Sequence, residues 1–463
     1  MQVKKVIGSL TANWVLAVFL LGFVGHAAAV AQSPGTFKST GDMTMGRVNH
    51  TATLLPNGGV LITGGVGSDN SITATAEFYD PTTGMFSRIG GMTTPRRSHT
   101  ATVLPDGRVL VAGGTGPLGP LGSTELYDPS TGIFTRTGDM VSGGNASGGG
   151  QAILLRNGKV FIPVNFSAQL YEPVTGTFTA AGPYADSTFW VYTATMLTDG
   201  RILLTGCGGP SCDIGVAELY DPATNTFSRT GPMSEWYSVN RATLLMNGRV
   251  LFVGNSEEDD LPSEVEIYDP ATESFALIGS MIGPHDFSTV TLLADGKVVI
   301  AGSRLADATG SAELYDPVLG TFSTMGSSAT ARYGHKAILL RDGNVLLVGG
   351  VNAGSGALDL TTARYVPAAS PASEIPWQQA ISGMQTAAGT NSLNFWQWTW
   401  YWQRSPTFAG APSGFGSFGS IDDSPGMSGK VIAAGGGDGL QMVSAEQWTR
   451  YYRQAICAGC WDY

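Results

Sequence analysis

His99-Thr-Ala-Thr-Val-Leu104-Pro-Asp106-Gly107-Arg-Val-Leu-Val-Ala-Gly113-Gly114 is followed by Ser123-Thr-Glu-Leu-Tyr127-Asp-Pro129 and Gly132-Ile-Phe134-Thr-Arg-Thr-Gly138-Asp-Met140. Two β-rich runs flank Asp106-Gly107. Such a pair tolerates positive φ at both positions and predicts a tight type I′ hairpin turn. A Gly-rich loop leads to a third strand ending at Asp128-Pro129, since proline brings no N–H to a ladder. A second turn then opens a fourth strand around Phe134.

The same order recurs along the chain. Leu-x-Asn/Asp-Gly falls at Leu55–Gly58, Leu104–Gly107, Leu155–Gly158, Leu197–Gly200, Leu245–Gly248, Leu293–Gly296 and Leu340–Gly343. Tyr79, Tyr127, Tyr171, Tyr220, Tyr268 and Tyr315 each precede an acid and a proline, with a degenerate copy at Tyr365. Phe86, Phe134, Phe178, Phe227, Phe275 and Phe322 follow at constant offset. Self-similarity at roughly 40–50 residues means stacked supersecondary units, and four antiparallel strands per unit describe a propeller blade.

These residues resemble the kelch repeat, whose marks are a double glycine after the second strand, a tyrosine in the third and an aromatic in the fourth. The double glycine stands at Gly64-Gly65, Gly113-Gly114 and Gly349-Gly350, decays at Gly206-Cys207, Gly254-Asn255 and Gly302-Ser303, and is lost at Pro163-Val164. Phenylalanine replaces the usual tryptophan. The seventh copy lacks its fourth strand, but Gly35-Thr-Phe37-Lys-Ser-Thr-Gly41-Asp-Met43 matches Gly132–Met140. The expected fold is therefore all-β: a seven-bladed kelch-type β-propeller over residues 32–366, closed by an N-terminal strand.

Both ends differ in character. Lys4 and Lys5 precede the apolar run Trp14–Val24, and Ala29-Val30-Ala31 has the form of a cleavage site, so residues 1–31 read as a signal peptide. Export to the periplasm or the extracellular space follows. No later run is long and apolar enough to span a bilayer. After residue 366 tryptophan accumulates, at Trp377, Trp396, Trp398, Trp400, Trp402, Trp448 and Trp461. The alternating four would share one face of a strand, as a glycan platform or as packing against the propeller. Gly429-Lys-Val-Ile-Ala-Ala-Gly435 echoes a half-repeat, and Ser444-Ala-Glu-Gln447 has the capping-box pattern of a short helix over 444–456.

Composition narrows the function. The formal net charge is −11, with 13% charged residues and no basic clusters, which argues against gripping nucleic acid through phosphates. Four cysteines form two local pairs, Cys207 with Cys212 and Cys457 with Cys460. In an oxidising compartment these read as disulfides, although the second also has the spacing of a redox dithiol or half a zinc site.

Repeat alignment locates the residues that break consensus. Just ahead of the innermost strands stand Arg47, Arg96, Ser147, Phe189, Tyr237, His285 and Arg332, and three residues later His50, His99, Gly150, Tyr192, Asn240, Ser288 and His335. Three Arg-x-x-His pairs on consecutive blades could hold a carboxylate or sulfate through bidentate bonds, or could bond to neighbouring backbone. Opposite them Phe189, Trp190, Trp236 and Tyr237 form an aromatic wall suited to a sugar face or a peptide side chain. Glu257–Asp260 is a calcium-collecting loop or a solvated tip.

The resemblance extends to the propeller of galactose oxidase-like enzymes, which implies copper held by tyrosines and histidines. No Tyr-His dipeptide occurs here, so no copper ligand carries over, and neither cofactor nor metal is expected. The sialidase Ser-x-Asp-x-Gly-x-x-Trp boxes are also absent. The expectation is a monomeric, non-enzymatic binding propeller whose partner is a glycan or a protein. The rival is a carbohydrate-active enzyme, an oxidase or a sugar-acid epimerase, with His285 or Tyr237 as acid/base.

Overall fold

The computed structural model describes residues 35–141, 151–209, 214–233, 241–254, 264–285, 287–304, 312–325 and 331–368, together with strands Lys430–Ala433 and Gln441–Ser444. Among them are seven four-stranded antiparallel sheets. Blade 2 shows the pattern: Thr100–Val103, Val109–Ala112, Thr124–Asp128 and Ile133–Arg136 run from the inside outward. The innermost strands lie side by side in chain order, and Lys336–Leu339 of blade 7 returns to Thr51–Leu54 of blade 1. The ring is closed.

The last blade is shared by the two ends of the propeller. Thr36–Ser39 pairs antiparallel with Ala363–Val366, placing Phe37 opposite Tyr365. Their rings lie 5.3 Å apart, repeating the Tyr–Phe contact of the other blades, for instance 4.6 Å for Tyr79–Phe86 and 4.7 Å for Tyr127–Phe134. No sheet edge in that blade is left where a fourth strand is missing.

The core lies between blades. Second strands such as Val60–Thr63 and Val109–Ala112 are buried along their whole length, because each sheet is covered on both faces. One apolar cluster joins each neighbouring pair; Val60, Ile62 and Met43 meet Leu346 and Val348 where blade 7 closes on blade 1. The glycine after each fourth strand lets the chain cross to the next blade. A Cβ on Gly138 would stand 2.1 Å from the Gly176 carbonyl oxygen, which the Gly138 amide itself contacts at 3.1 Å.

The hairpin turns differ from the expected type I′. Only the glycine takes positive φ, as at Gly58 (88°) and Gly107 (86°). The Gly58 amide donates to the Leu55 carbonyl, so Pro56-Asn57 form a type I turn followed by a left-handed glycine. Proline at the first central position favours this form. The Asn57 and Asp106 side chains then accept the amides two residues on, at 3.0 Å each.

Near the C-terminus Lys430–Ala433 pairs with Gln441–Ser444, so the half-repeat echo does contain a hairpin. Ser444, where the expected helix over 444–456 would begin, ends the second of these strands, and residues 445–456 and the tryptophan run lie outside the described residues. So do the expected signal segment, Cys212, Cys457, Cys460, Trp236, Tyr237 and the Glu257–Asp260 loop. Among the described residues no helix is long and apolar enough to cross a membrane.

Candidate functional site

The Arg-x-x-His residues sit at the channel end of consecutive blades, as their spacing implies, but they do not present an open cationic surface. Arg47, Arg96 and Arg332 are buried. Arg47 Nη2 meets Glu77 Oε1 at 2.5 Å while Nη1 donates to the Gly64 and Thr75 carbonyls. Arg96 repeats this with Glu125 at 3.0 Å and the Gly113 and Ser123 carbonyls. Burial lowers each guanidinium below its ordinary value and the facing carboxylate opposes that shift. The Nη donors are thus spent within the blade, and the Nε–H that remains is buried without a partner, so the bidentate face expected for an incoming carboxylate is not presented.

The partner acid is the residue that the repeat alignment passed over. Glu77, Glu125, Glu218, Glu266 and Glu313 each stand two residues before the third-strand tyrosine. Besides the cation, Glu77 and Glu125 accept amides of the loop entering their own blade: Thr44 on Glu77 at 2.7 Å, Thr93 and Thr94 on Glu125 at 2.7 and 3.1 Å. Where the cation changes, the acid adapts. His285 copies the guanidinium, contacting the Gly302 carbonyl and Glu313 at 3.0 Å each. Blade 7 carries Ala363 at the acid position, and Asp359 in the preceding loop takes Arg332 at 3.2 Å. Blade 3 has neutral Gln169, which accepts the Val141 amide at 2.7 Å. In blade 4, where Phe189 replaces the cation, burial raises the Glu218 carboxyl above its usual range.

The histidines reach back one blade. His99 Nε2 bonds the Thr51 and Thr63 hydroxyls of blade 1 at 3.1 and 2.9 Å, and His335 Nε2 bonds Thr289 of blade 6 at 3.0 Å. Their rings lie over the first glycine of the preceding blade's pair. A Cβ on Gly64 would stand 2.4 Å from the Arg96 carbonyl oxygen and 2.7 Å from His99 Cε1, and Gly64 also has φ of 62°. Double glycine and Arg-x-x-His are thus two halves of one inter-blade joint. Gly64→Ala is expected to lower stability by about 2–4 kcal/mol relative to the wild type, through strain at positive φ and overpacking together; denaturant midpoints check it, with Gly132→Ala, also at positive φ (71°) but with nothing within 4 Å of the added Cβ, giving the share due to strain alone.

The aromatic wall divides. Phe189 is fully buried against Tyr184 in the blade 3–4 core, so it faces away from any ligand. Trp190, one residue on, is 42% exposed, because alternation along a strand turns it to the other side. It packs edge-on to Phe166, itself 50% exposed, with ring centroids 5.1 Å apart at 83°. Phe166 occupies the short turn between the second and third strands of blade 3 with φ of 66°, held by its amide on the Phe189 carbonyl at 3.1 Å. Nearby, Tyr192 Oη lies 3.1 Å from Cys207 Sγ, and Cys207 is disulfide-bonded.

A Kelch motif model matches residues 96–141, the segment from the blade 2 arginine through its fourth strand. No curated protein sequence matches the chain. Among solved structures, a fungal alcohol oxidase of the AA5 family, determined in complex with copper, superposes with a TM-score of 0.56 at 16% identity. The match covers 72% of this chain and 77% of that one, and at such identity it is a likeness of fold. The described residues do not fit copper. Among the described residues no group of three or more His, Cys, Asp or Glu side chains could hold a metal ion. His99 and His335 are instead engaged with threonines, and His285 with Glu313. Repeat residues, ring closure and superposition together show a seven-bladed β-propeller that carries a Kelch motif in blade 2 and is similar in fold to that AA5 alcohol oxidase.

Proposed function

We propose that this chain is an exported, non-enzymatic binding propeller that takes the face of a sugar on the Phe166–Trp190 pair. The observation that carries this reading is two large aromatic rings left half-open to water on the channel end of blades 3 and 4. A left-handed φ at a bulky residue costs on the order of 1–3 kcal/mol, a strain that is most often kept where function uses it. Phe166 spends it on standing a ring upright beside Trp190. Indole and phenyl faces bury the C–H surface of a saccharide, and a tilted pair makes a cleft narrow enough to orient it. The buried Arg–Glu joints fix the loops beneath and need not touch the ligand. The N-terminal 31 residues would direct export, as their composition suggests.

A glycan array probed with the purified protein and with Trp190→Ala tests this. Retention of a neutral saccharide class that falls about tenfold or more in the variant is expected, a loss of roughly 1–3 kcal/mol of stacking. No retained glycan, or equal retention by both proteins, overturns the reading and favours a protein partner.

A further inference from the structure

One residue beyond each histidine the innermost strands carry Thr51, Thr100, Gln151, Thr193, Arg241, Thr289 and Lys336. Register puts them at one height of the channel. Thr51 pairs with Thr63, Thr100 with Ala112, Thr193 with Thr205, Arg241 with Val253, Thr289 with Ala301 and Lys336 with Val348. Four blades therefore show a hydroxyl at this rung, while blades 5 and 7 show cations on either side of Thr289. The innermost strands of blades 5, 6 and 7 are successive neighbours in the ring. Two positive charges thus face one another across a single blade.

Lys336 is unlike the other buried or half-buried cations of this region. Arg47, Arg96 and Arg332 have Glu77, Glu125 and Asp359. No hydrogen bond or ion pair joins Lys336 to any described carboxylate, and its side chain is open to water. Crowding by the channel walls and the charge of Arg241 nevertheless pull its pKa down to about 8.

The second observation is His50. It is 1% exposed, and neither ring nitrogen has a hydrogen-bond partner. Its ring lies over Gly349, where a Cβ would stand 2.5 Å from Cε1. Gly349 follows Val348, the rung partner of Lys336. At the corresponding rung His99 and His335 find threonine hydroxyls. The equivalent positions for His50 are Val348, whose side chain is apolar, and Lys336, whose side chain has only donors to offer and whose charge acts on the ring. A cation and an N–H donor therefore stand close together, and among the described residues neither has an acceptor. In a chain of net charge −11 that place is a local exception.

We propose that this end of the channel binds an oxyanion, with the Lys336 ammonium and a His50 ring N–H as its hydrogen-bond donors and Arg241 adding positive field. The ligand chemistry is a carboxylate, sulfate or phosphate group, borne either by a free inorganic ion or by an acidic sugar. The site is independent of the aromatic pair on blades 3 and 4. An anion there supplies the acceptor that His50 lacks and a countercharge for Lys336.

Calorimetric titration of the full chain with sodium sulfate, and separately with galacturonate and galactose, at matched ionic strength tests this. The wild type is expected to show saturable binding of sulfate, galacturonate or both, and none of galactose. Lys336→Thr installs the residue that four other blades carry and so keeps the fold. It is expected to weaken binding about tenfold or more, the worth of one charged hydrogen bond, while Lys336→Arg retains most of it. Binding of sulfate alone identifies a small inorganic ion, and binding of galacturonate identifies an acidic sugar. Equal titrations by wild type and Lys336→Thr, or no saturable heat from either anion, overturn the proposal. A matching rise in melting temperature in both proteins would be the general effect of an excluded salt. Because sulfate has no sugar face, failure here and failure of the Trp190 test are separable.

Discussion

A chain from which residues 34–41 are deleted is expected to lose about 5 kcal/mol of stability. Thr36–Ser39 supplies the whole outer ladder of blade 7, four paired positions against Ala363–Val366. Phe37 covers Tyr365, and the crossing that follows ties blade 7 to blade 1. There the Thr40 hydroxyl meets Tyr79 Oη at 2.8 Å and the Gly41 amide meets the Gly84 carbonyl at 2.8 Å. Without this segment an edge is exposed and the cluster between blades 6 and 7, around Tyr365, loses the Phe37 ring that packs against it. Urea unfolding of the truncated and full proteins measures the loss. A milder companion, Phe37→Ala, removes only the ring and should cost about 3 kcal/mol. An unchanged midpoint after truncation would mean that the ring is held by its other six joints alone.

That closure was legible in the primary structure because it copies a motif: Gly35-Thr-Phe37 repeats Gly132-Ile-Phe134, and the copy missing at the far end names its place. The candidate site was only half legible. Spacing located Arg47, Arg96 and Arg332 at one end of the channel, but burial is set by what faces a residue. Their acids stand in a different strand, two positions before the tyrosine. The recurrence of Glu77, Glu125, Glu218, Glu266 and Glu313 was there to be read, and Gln169 replacing the acid in the blade that carries Ser147 is its confirmation. Phe189 and Trp190 look equivalent as letters, yet strand alternation buries one and exposes the other. Lys336 and Arg241 were missed for a simpler reason. They break consensus one residue beyond the histidines, where threonine in four other blades makes the exception visible only once the register is known.

Acid is expected to unfold this propeller well before its carboxylates titrate, because the inter-blade joints contain histidines that cannot take up a proton. Burial, reinforced by the Arg96 and Lys336 charges, lowers His99 to about 3. Burial together with Arg332, Lys336 and Arg241 does the same to His335, about 3. His50 is held well below 6.5 by burial, then by Lys336, Arg47, His99 and His335. In the unfolded chain all three titrate near 6.5, so between that pH and about 3 the unfolded state binds more protons than the folded one. Their stabilising contribution is complete above 6.5 and declines as pH falls, by up to about 1.4 kcal/mol per pH unit for each histidine. Glu218, whose carboxyl burial raises, takes up its proton earlier in the fold and opposes the trend with a single group. Net charge cannot be the cause, since the chain approaches its pI of about 4.9 over this range and self-repulsion fades. Urea midpoints measured from pH 7.5 to 4.5 should therefore be level down to about 6.5 and then fall steeply. His99→Gln removes one titrating group while keeping an amide to meet Thr51 and Thr63. The variant should start less stable at pH 7.5, by about 1–2 kcal/mol, and then lose stability with a slope reduced by about a third. A wild-type midpoint that stays level to pH 4.5 would show that these rings accept protons in the folded state, and the inter-blade joint would need a different account.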